Sequence, residues 1–371
     1  MMWSTEQDAA MKAVGAWLAD WRGPQVFRLF GYAGTGKTTL AKEIAAQSGL
    51  DVLFATFTGK ASLVLRSKGC GNACTLHSLI YKVVQDEDTG EIEFKLNPES
   101  ELADADLLIV DEVSMVGEEL ARDVLGFGKK VLVLGDPAQL PPVKSEGYFI
   151  NAEPDAMLTQ VHRQALDNPI IRMSMDIRNG VGLKAGQYGD SLVSDGMARE
   201  DVARLVLGAD QVICGLNKSR VLYNNRIRAL KGLEGDIEPW HPTRGDRLIC
   251  LRNDRRQGIF NGSMWHCRKT GWGRRKKKLI LELNAMDEKR APLQTEVFPH
   301  FFNGTEKELD WRQLKGVHQF TFGWAITCHK SQGSEWGKVF VFDQSGSFGD
   351  DRRKWLYTAV TRASEQVTVL R

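Results

Sequence analysis

Residues Gly31-Tyr32-Ala33-Gly34-Thr35-Gly36-Lys37-Thr38 leave the chain little choice of local fold. The glycines let the backbone curl with its N–H groups pointing inward, a concavity suited to a phosphate chain. Lys37 is placed to reach β- and γ-phosphates, and the Thr38 hydroxyl can ligate Mg²⁺. Upstream, Val26-Phe27-Arg28-Leu29-Phe30 is a short β-type run; downstream, Thr38 to Ala46 reads as a helix. The loop therefore sits at a strand-to-helix junction, where the helix N-terminus adds positive potential. A chance match in a glycine-rich loop would lack these flanks.

A chain of 371 residues has room for about two to four domains or subdomains. The net charge of +2 is too small to argue for a nucleic-acid partner, so local clusters must carry that case. No secretory pattern opens the sequence, and no apolar run approaches ~18 residues, so membrane insertion is not expected and a cytoplasmic setting, in a bacterium or a phage-infected host, is. The six cysteines are scattered and read as reduced, buried thiols. Cys70, Cys74 and His77 have a zinc-like spacing but no fourth ligand nearby, and no metal is expected there.

Along the chain, Thr5 to Trp21 is helical in pattern, with Ser4 or Thr5 as N-cap. Val52 to Phe57 is a strand, ending at Thr58-Gly59-Lys60, and Ala61 to Ser67 a helix. Leu107-Leu108-Ile109-Val110 and Val131-Leu132-Val133-Leu134 are continuous apolar runs of the kind buried on both faces of a parallel sheet. An α/β domain is expected over residues 1–165. It is interrupted within 80–100 by Tyr81-Lys82-Val83-Val84 and Glu91-Ile92-Glu93-Phe94-Lys95, a hairpin with an acidic tip. A second α/β region shows at Gln211 to Cys214 with a helix from Val221 to Leu230. It resumes at Val339 to Phe342, a helix over Arg352 to Ala363, and a strand from Gln366 to Leu370. That region is assigned to 166–235 and 318–371. Between them, residues 236–317 alternate short strands with Gly/Asn/Asp turns and read as a small inserted β domain.

The strand Leu107 to Val110 runs into Asp111-Glu112. Nucleotide hydrolysis needs one carboxylate to hold Mg²⁺ and another to activate the attacking water, and adjacent acids at a strand end can divide those tasks. Asp111 is the candidate metal ligand with Thr38, and Glu112 the candidate base; a solvated acidic turn is the alternative. Gln139, in Gly135-Asp136-Pro137-Ala138-Gln139-Leu140-Pro141-Pro142, can sense a γ-phosphate. Arg163, in His162-Arg163-Gln164, and Arg362, on the last helix, can offset charge that develops on that phosphate.

Taken in order, these strings resemble the motifs of superfamily 1 helicases, in particular the RecD-like and Dda-like branch, superfamily 1B. They are Gly31–Thr38, Thr58-Gly59-Lys60, Thr75-Leu76-His77, Asp111-Glu112-Val113-Ser114-Met115, Gly135–Pro142, Val161-His162-Arg163, Ala325–Trp336 and Tyr357–Ala363. They span nearly the whole chain.

The resemblance implies an α/β fold of two RecA-like P-loop domains with ATP in the cleft between them. It also implies a hairpin pin in the first domain and an SH3-like insertion in the second. It makes Arg163 and Arg362 γ-phosphate contacts, Gln139 a coupling sensor, Gln7 the adenine reader and Glu335 the ribose contact. Gly31, Ala33, Gly34, Thr35, Gly36, Lys37, Thr38, Thr39, Gln332 and Gly333 complete the nucleotide set. Thr58, Lys60, His77, Thr327, His329, Lys330 and Ser331 fall where the family touches the single strand. The pin tip departs from the pattern: it is acidic and lacks an aromatic, although Phe94 lies on the returning strand.

Hydroxyls and cations at strand ends suit phosphates, so binding should be backbone-directed and weaken with salt. Arg274-Arg275-Lys276-Lys277-Lys278 reads first as a solvated hairpin tip and second as a clamp on duplex or displaced strand. Of the ten tryptophans, Trp265 and Trp324 are expected in the core, while Trp336 either stacks on a base or packs under its loop. The expectation is a monomeric ATP- and Mg²⁺-dependent DNA helicase moving 5′ to 3′ on single strands and at single-strand/duplex junctions, in a replication or repair setting. An RNA helicase of the same superfamily, and an ATP-gated translocase or remodeller of nucleoprotein that does not unwind, are the rivals.

Overall fold

The computed structural model describes residues 3–85, 92–141, 147–161, 167–235, 238–254, 257, 259–274, 277–286 and 288–371. The chain forms two units, Met1–Arg178 and Asn179–Arg371.

The first unit is built on β1 (Val26–Gly31), β2 (Val52–Thr56), β3 (Cys74–Thr75), β6 (Leu107–Asp111), β7 (Lys130–Gly135) and β8 (Ala156–Leu158), with β4 (Tyr81–Gln85) and β5 (Ile92–Leu96) apart from them. The six strands pair in the order β3-β2-β6-β7-β1-β8, every pair parallel. Continuous apolar sequence explains this: all five residues of β6 are buried, as a strand covered on both faces must be. The opening helix, Thr5–Ala19, starts at Ser4 through a reciprocal capping box with Gln7. Its buried face carries Gln7, Ala10, Val14 and Trp17, one helical stripe. The helix after the phosphate loop, Lys37–Ser48, stops at Gly49, whose φ of 67° suits glycine. The helix expected from Ala61 begins at Gly59, because the Thr58 hydroxyl accepts the Ala61 N–H at 3.2 Å and caps it.

Strands β4 and β5 pair antiparallel from Tyr81↔Leu96 to Gln85↔Ile92, so the expected hairpin is present, while its acidic tip, 86–91, lies outside the described residues.

The second unit holds β9 (Gly186–Tyr188), β10 (Ser191–Ser194), β11 (Gln211–Cys214), β17 (Ala325–Thr327), β18 (Trp336–Phe342) and β19 (Ala363–Leu370), ordered β17-β11-β18-β19-β10-β9. Only β9 pairs antiparallel to its neighbour. Its helix expected from Val221 runs Asn217–Leu230. The earlier start follows from Gln344, whose Oε1 accepts the N–H groups of Gly215 (2.7 Å) and Leu216 (3.1 Å).

Between β11 and β17 lies a separate antiparallel sheet of five strands, β15-β14-β13-β12-β16, formed by β12 (Arg247–Cys250), β13 (Met264–Trp272), β14 (Leu279–Ala285), β15 (Leu293–Val297) and β16 (Phe320–Phe322). Strand β16 extends this sheet past residue 317, the limit read from sequence. Where the insertion meets the helix Asn217–Leu230, Arg228 and Asp246 form a buried ion pair at 2.9 Å, with Arg228 also donating to the carbonyls of Pro239 (2.9 Å) and His241 (2.6 Å). Burial pushes the Asp246 carboxyl above the usual carboxylate range despite the arginine.

Trp265 is buried, as expected. Trp324 lies at the edge of the core: it is half-buried, packed against the cluster of Val212, Ala325 and Phe340, with Lys231 and Arg247 each 4.6 Å from its ring. Trp336 packs against Ile249, Met264 and Ile326, which favours the packing alternative. In the basic run, Lys278 pairs with Glu296 at 3.2 Å, and the turn between β13 and β14 places Arg274 and Lys277 in solvent.

Candidate functional site

In the first unit, the C-terminal ends of parallel strands collect the predicted residues, the edge where open α/β sheets place their ligands. The loop leaving β1 is braced by its own backbone: the Thr35 hydroxyl donates to Tyr32 O at 2.8 Å, and Gly34 and Gly36 both sit at φ 78°, a left-handed turn that favours glycine. Gly31 has no room for a side chain, since a Cβ there would lie 2.7 Å from Thr35 Oγ1 and 2.9 Å from Leu158. Lys37 folds over the loop and donates to Gly31 O (2.6 Å) and Tyr32 O (3.1 Å). Ala33 and Thr39 flank the curl, the latter exposed at the start of the helix.

Gln7 reaches the loop from the opening helix. Its Nε2 donates to Thr35 O at 3.0 Å while its Oε1 accepts the Ser4 N–H at 3.0 Å. It is 2 % exposed, so the opening helix and the phosphate loop are locked together.

Asp111 ends β6, and its Oδ2 accepts the Thr38 hydroxyl at 2.8 Å. Burial first, then the neighbouring Glu112 charge, pushes its carboxyl above the usual range; the Thr38 bond and Lys37 oppose this. Glu112 has φ 56° and ψ 47°, the one positive φ among the described non-glycine residues. Such a conformation costs about 1–3 kcal/mol and is a mark of functional positions. Gln139 follows β7; its Oε1 is buried with no hydrogen-bond partner among the described residues, although its backbone N–H donates to Asp136 O at 3.1 Å. A buried acceptor left open this way suits a donor supplied from outside the chain.

This donor set fits Mg²⁺ and a nucleotide triphosphate. A hydroxyl and a carboxylate already share a bond where a hard cation prefers oxygen, and the left-handed Gly34 and Gly36 shape the loop's curl. Arg163 lies outside the described residues. Val161, just before it, packs near Gly34, 3.5 Å from where a Cβ would stand. Sequence reasoning missed Glu6, whose carboxylate accepts the N–H groups of Thr159 (2.7 Å) and Gln160 (2.8 Å) and the Thr159 hydroxyl (2.6 Å), anchoring the segment that leads into Val161. Its only sequence signal is an acid in the first helical turn.

Among the other predicted residues of this unit, Thr58 is spent on its helix cap, Lys60 is buried, and His77 stacks edge-on to Phe57 at 5.7 Å.

In the second unit, Thr327 ends β17 and precedes the short helix Cys328–Ser331. His329 is half-buried beside Phe348, ring centroids 5.9 Å apart, and burial lowers its pKa despite Asp351. Lys330 is exposed, and its Nζ donates to Asn261 Oδ1 at 2.8 Å. Ser331, expected where the family touches the single strand, is fully buried, and its hydroxyl donates back to Cys328 O at 2.7 Å, a helix-internal bond. Gln332 is buried, Gly333 takes φ 71°, and Glu335 is exposed. The Arg362 guanidinium is 7 % exposed and held by Thr358 O (3.1 Å), Ser334 O (3.2 Å) and the Thr361 hydroxyl (3.2 Å).

Among the described residues no cluster of three or more His, Cys, Asp or Glu side chains could hold a metal ion by itself, and no helix is long and apolar enough to cross a membrane.

Comparison with known proteins fits this inventory. Residues 2–191 match the model of an AAA domain, and 322–370 that of a UvrD-like helicase C-terminal domain. The chain is 32 % identical over 375 residues to the ATP-dependent RecD2 DNA helicase of Deinococcus radiodurans, covering 93 % of this chain and 46 % of that protein. It is 25 % identical over 401 residues to the conjugal transfer protein TraA of Rhizobium radiobacter, covering 98 % of this chain and 32 % of TraA. It thus spans less than half the length of these curated relatives. Among solved structures, Bacteroides Pif1 bound to single-stranded DNA aligns with a TM-score of 0.57 at 19 % identity, over 99 % of this chain and 92 % of that one. A Pif1 structure described as unwinding forked duplex DNA aligns at 0.58 and 21 %, with the same coverage. At these identities the likeness speaks to the fold, two RecA-like domains.

Proposed function

Because the chain belongs to the AAA-domain family and, with it, to the RecD/Pif1/Dda-like branch of superfamily 1B helicases, we propose that it is an ATP-dependent DNA helicase that translocates 5′ to 3′ on single-stranded DNA. The observation that carries the reading is the Thr38–Asp111 bond beneath a phosphate loop that admits no side chain at Gly31. It is what a Mg²⁺-nucleotide site looks like from the protein's side, and in this family such a site drives strand separation.

In this reading Lys37, with the loop N–H groups of Gly34 to Thr38, neutralises β- and γ-phosphate oxygens. Thr38 and Asp111 would hold Mg²⁺, which supplies charge neutralisation on the phosphates. Glu112, aimed by its unusual backbone, takes the proton of the attacking water, and Gln139 orients toward the γ-phosphate. Arg163 and Arg362 offset charge in the transition state. Gln7 reads the adenine, and Gln332, Gly333 and Glu335 complete the nucleotide set. Thr58, Lys60, His77, Thr327, His329, Lys330 and Ser331 grip the strand, and the β4–β5 hairpin divides the duplex.

We divide the chain accordingly into 1–165, with the pin at 80–100, then 166–235 with 318–371, and an SH3-like 236–317. A monomer in the cytoplasm, working with replication or repair proteins, completes the proposal.

The test is ATP-dependent opening of two partial duplexes, one with a 5′ and one with a 3′ single-stranded tail. Opening of the 5′-tailed substrate alone is the expected result. Opening of the 3′-tailed one alone overturns the polarity. ATP consumed with neither opened moves the translocase reading ahead, and stimulation by RNA but not DNA moves the RNA helicase ahead.

A further inference from the structure

Sequence alone reads Lys330 as a cation aimed at a nucleic-acid backbone. The structure adds that its ammonium is held from the β insertion, 69 positions away, by Asn261 Oδ1 at 2.8 Å. That asparagine is built into place. It sits in a turn where Gly262 takes φ 88° and donates to Cys250 O at 2.9 Å, while Ser263 N donates to Phe260 O at 3.0 Å. Its own N–H donates to Asn253 Oδ1 at 2.6 Å. The base of the loop is tied down in turn by His318, which contacts Asp254 at 2.8 Å and the Thr295 hydroxyl at 2.5 Å.

The residue type matters. An amide oxygen fixes the direction of an ammonium without cancelling its charge, whereas a carboxylate at the same point would spend that charge inside the protein. A second cation stands close by. Arg220 lies on the helix that leaves β11, and β11 pairs with β17, the strand that leads into Lys330, at Cys214↔Thr327. Surrounding protein pulls the Lys330 pKa down; the Cys250 thiol opposes this, and the positive charge of Arg220 adds a smaller push downward. The Glu306 carboxylate offsets part of the Arg220 charge, while the Lys330 ammonium, held by a neutral amide, keeps its own, so an anion between the two is attracted.

We propose that Lys330, Arg220 and Asn261 form one seat for a backbone phosphate, in which Lys330 and Arg220 supply charge and Asn261, contributed by the β insertion, positions the lysine. The inference rests on the reading of the chain as a single-strand binder. It makes the insertion part of the grip.

The experiment is a salt titration of binding to a fluorescently labelled oligothymidylate, read by anisotropy. Each phosphate contact on a single strand contributes about 0.7 to the slope of log K against log salt. Asn261→Asp, which sets a carboxylate against the ammonium, should lower that slope by about 0.7, matching Lys330→Ala, and the two together should lower it no further. Asn261→Ala should keep the slope and weaken binding only severalfold. Arg220→Gln should lose about 0.7 of its own, and about 1.4 together with Lys330→Ala.

A wild-type slope in Asn261→Asp alongside a reduced one in Lys330→Ala removes Asn261 from the seat. Unchanged slopes in both Lys330→Ala and Arg220→Gln overturn the seat, whether or not Asn261→Asp is stable. Failure of the unaltered protein to bind the oligonucleotide at all sinks the single-strand reading itself, a result distinct from the others.

Discussion

The Thr38 hydroxyl donates to Asp111 Oδ2 at 2.8 Å, across the strand β7 that separates β1 from β6 in the sheet. Residues 73 positions apart are brought to one point by nothing more than parallel strands of matched register. The cost is a buried carboxylate whose pKa burial pushes upward.

That cost gives a signed prediction. A carboxyl with a raised folded pKa binds more protons folded than unfolded, so its contribution to stability falls as pH rises from the ordinary carboxylate range through the raised value. Without Mg²⁺, Asp111→Asn should therefore melt no lower than the unaltered protein at about pH 8, with the difference shrinking toward about pH 4. The same variant should lose ATP turnover by about 10²-fold or more, because the proposed metal ligand is gone. Calorimetry across pH and a steady-state ATPase assay check both halves. A variant that melts lower at neutral pH would show that Asp111 is a stabilising charge.

Glu112 supplies a second prediction. Its φ of 56° is strained for any side chain, and a strained acid beside the proposed metal ligand is expected to be kept for chemistry. Glu112→Gln should bind ATP and hydrolyse it about 10²- to 10⁴-fold more slowly. Glu112→Gly should be equally inactive yet more stable by about 1 kcal/mol, as the left-handed strain is released. Nucleotide binding, turnover and thermal melts on the two variants separate catalysis from strain. Normal turnover in Glu112→Gln would remove the base assignment.

Local patterns and special backbone account for what was legible. Continuous apolar runs announce β6 and β7 because a strand covered on both faces cannot carry polar residues, and the Gly31–Thr38 octet announces its own left-handed glycines. Long-range polar contacts were illegible. Nothing in the sequence near Glu6 says that its carboxylate will catch the N–H groups of Thr159 and Gln160, and nothing near Lys330 names Asn261 as its partner. Motif position likewise says nothing of which way the Ser331 hydroxyl turns on its four-residue helix. Trp324 reaches only the core's edge, because the fold also brings Lys231 and Arg247 over its ring, which no local pattern announces.

The buried pair Arg228–Asp246 joins the helix Asn217–Leu230 to the β insertion, and a third prediction follows from removing one side of it. Asp246→Asn leaves a guanidinium uncompensated among apolar groups, with Phe322 against it at 4.0 Å, and should destabilise the second unit by about 3–5 kcal/mol. Replacing both, Arg228→Met with Asp246→Leu, should recover most of that loss, since no charge is then stranded. Denaturant melts of the two proteins decide it. Equal destabilisation by the single and double replacements would mean that the carbonyl bonds of Arg228, not the charge pair, hold the junction.

The last prediction concerns the hairpin. Phe94 lies on β5 and is 55 % exposed, on an element that stands apart from the central sheet. Exposed aromatics on such an element offer a flat surface against which a terminal base pair can stack, at about 1–3 kcal/mol per base. If the hairpin divides the strands, Phe94→Ala should slow the opening of a tailed duplex several-fold. It should leave ATP turnover on single-stranded DNA within about two-fold of the unaltered protein, because β4 and β5 pair with each other and not with the sheet that carries the phosphate loop and Asp111. Parallel measurement of unwinding and single-strand-stimulated turnover checks this. An equal loss in both would mean that the ring supports the first unit's packing, and an unchanged unwinding rate would mean that separation is achieved elsewhere on the molecule.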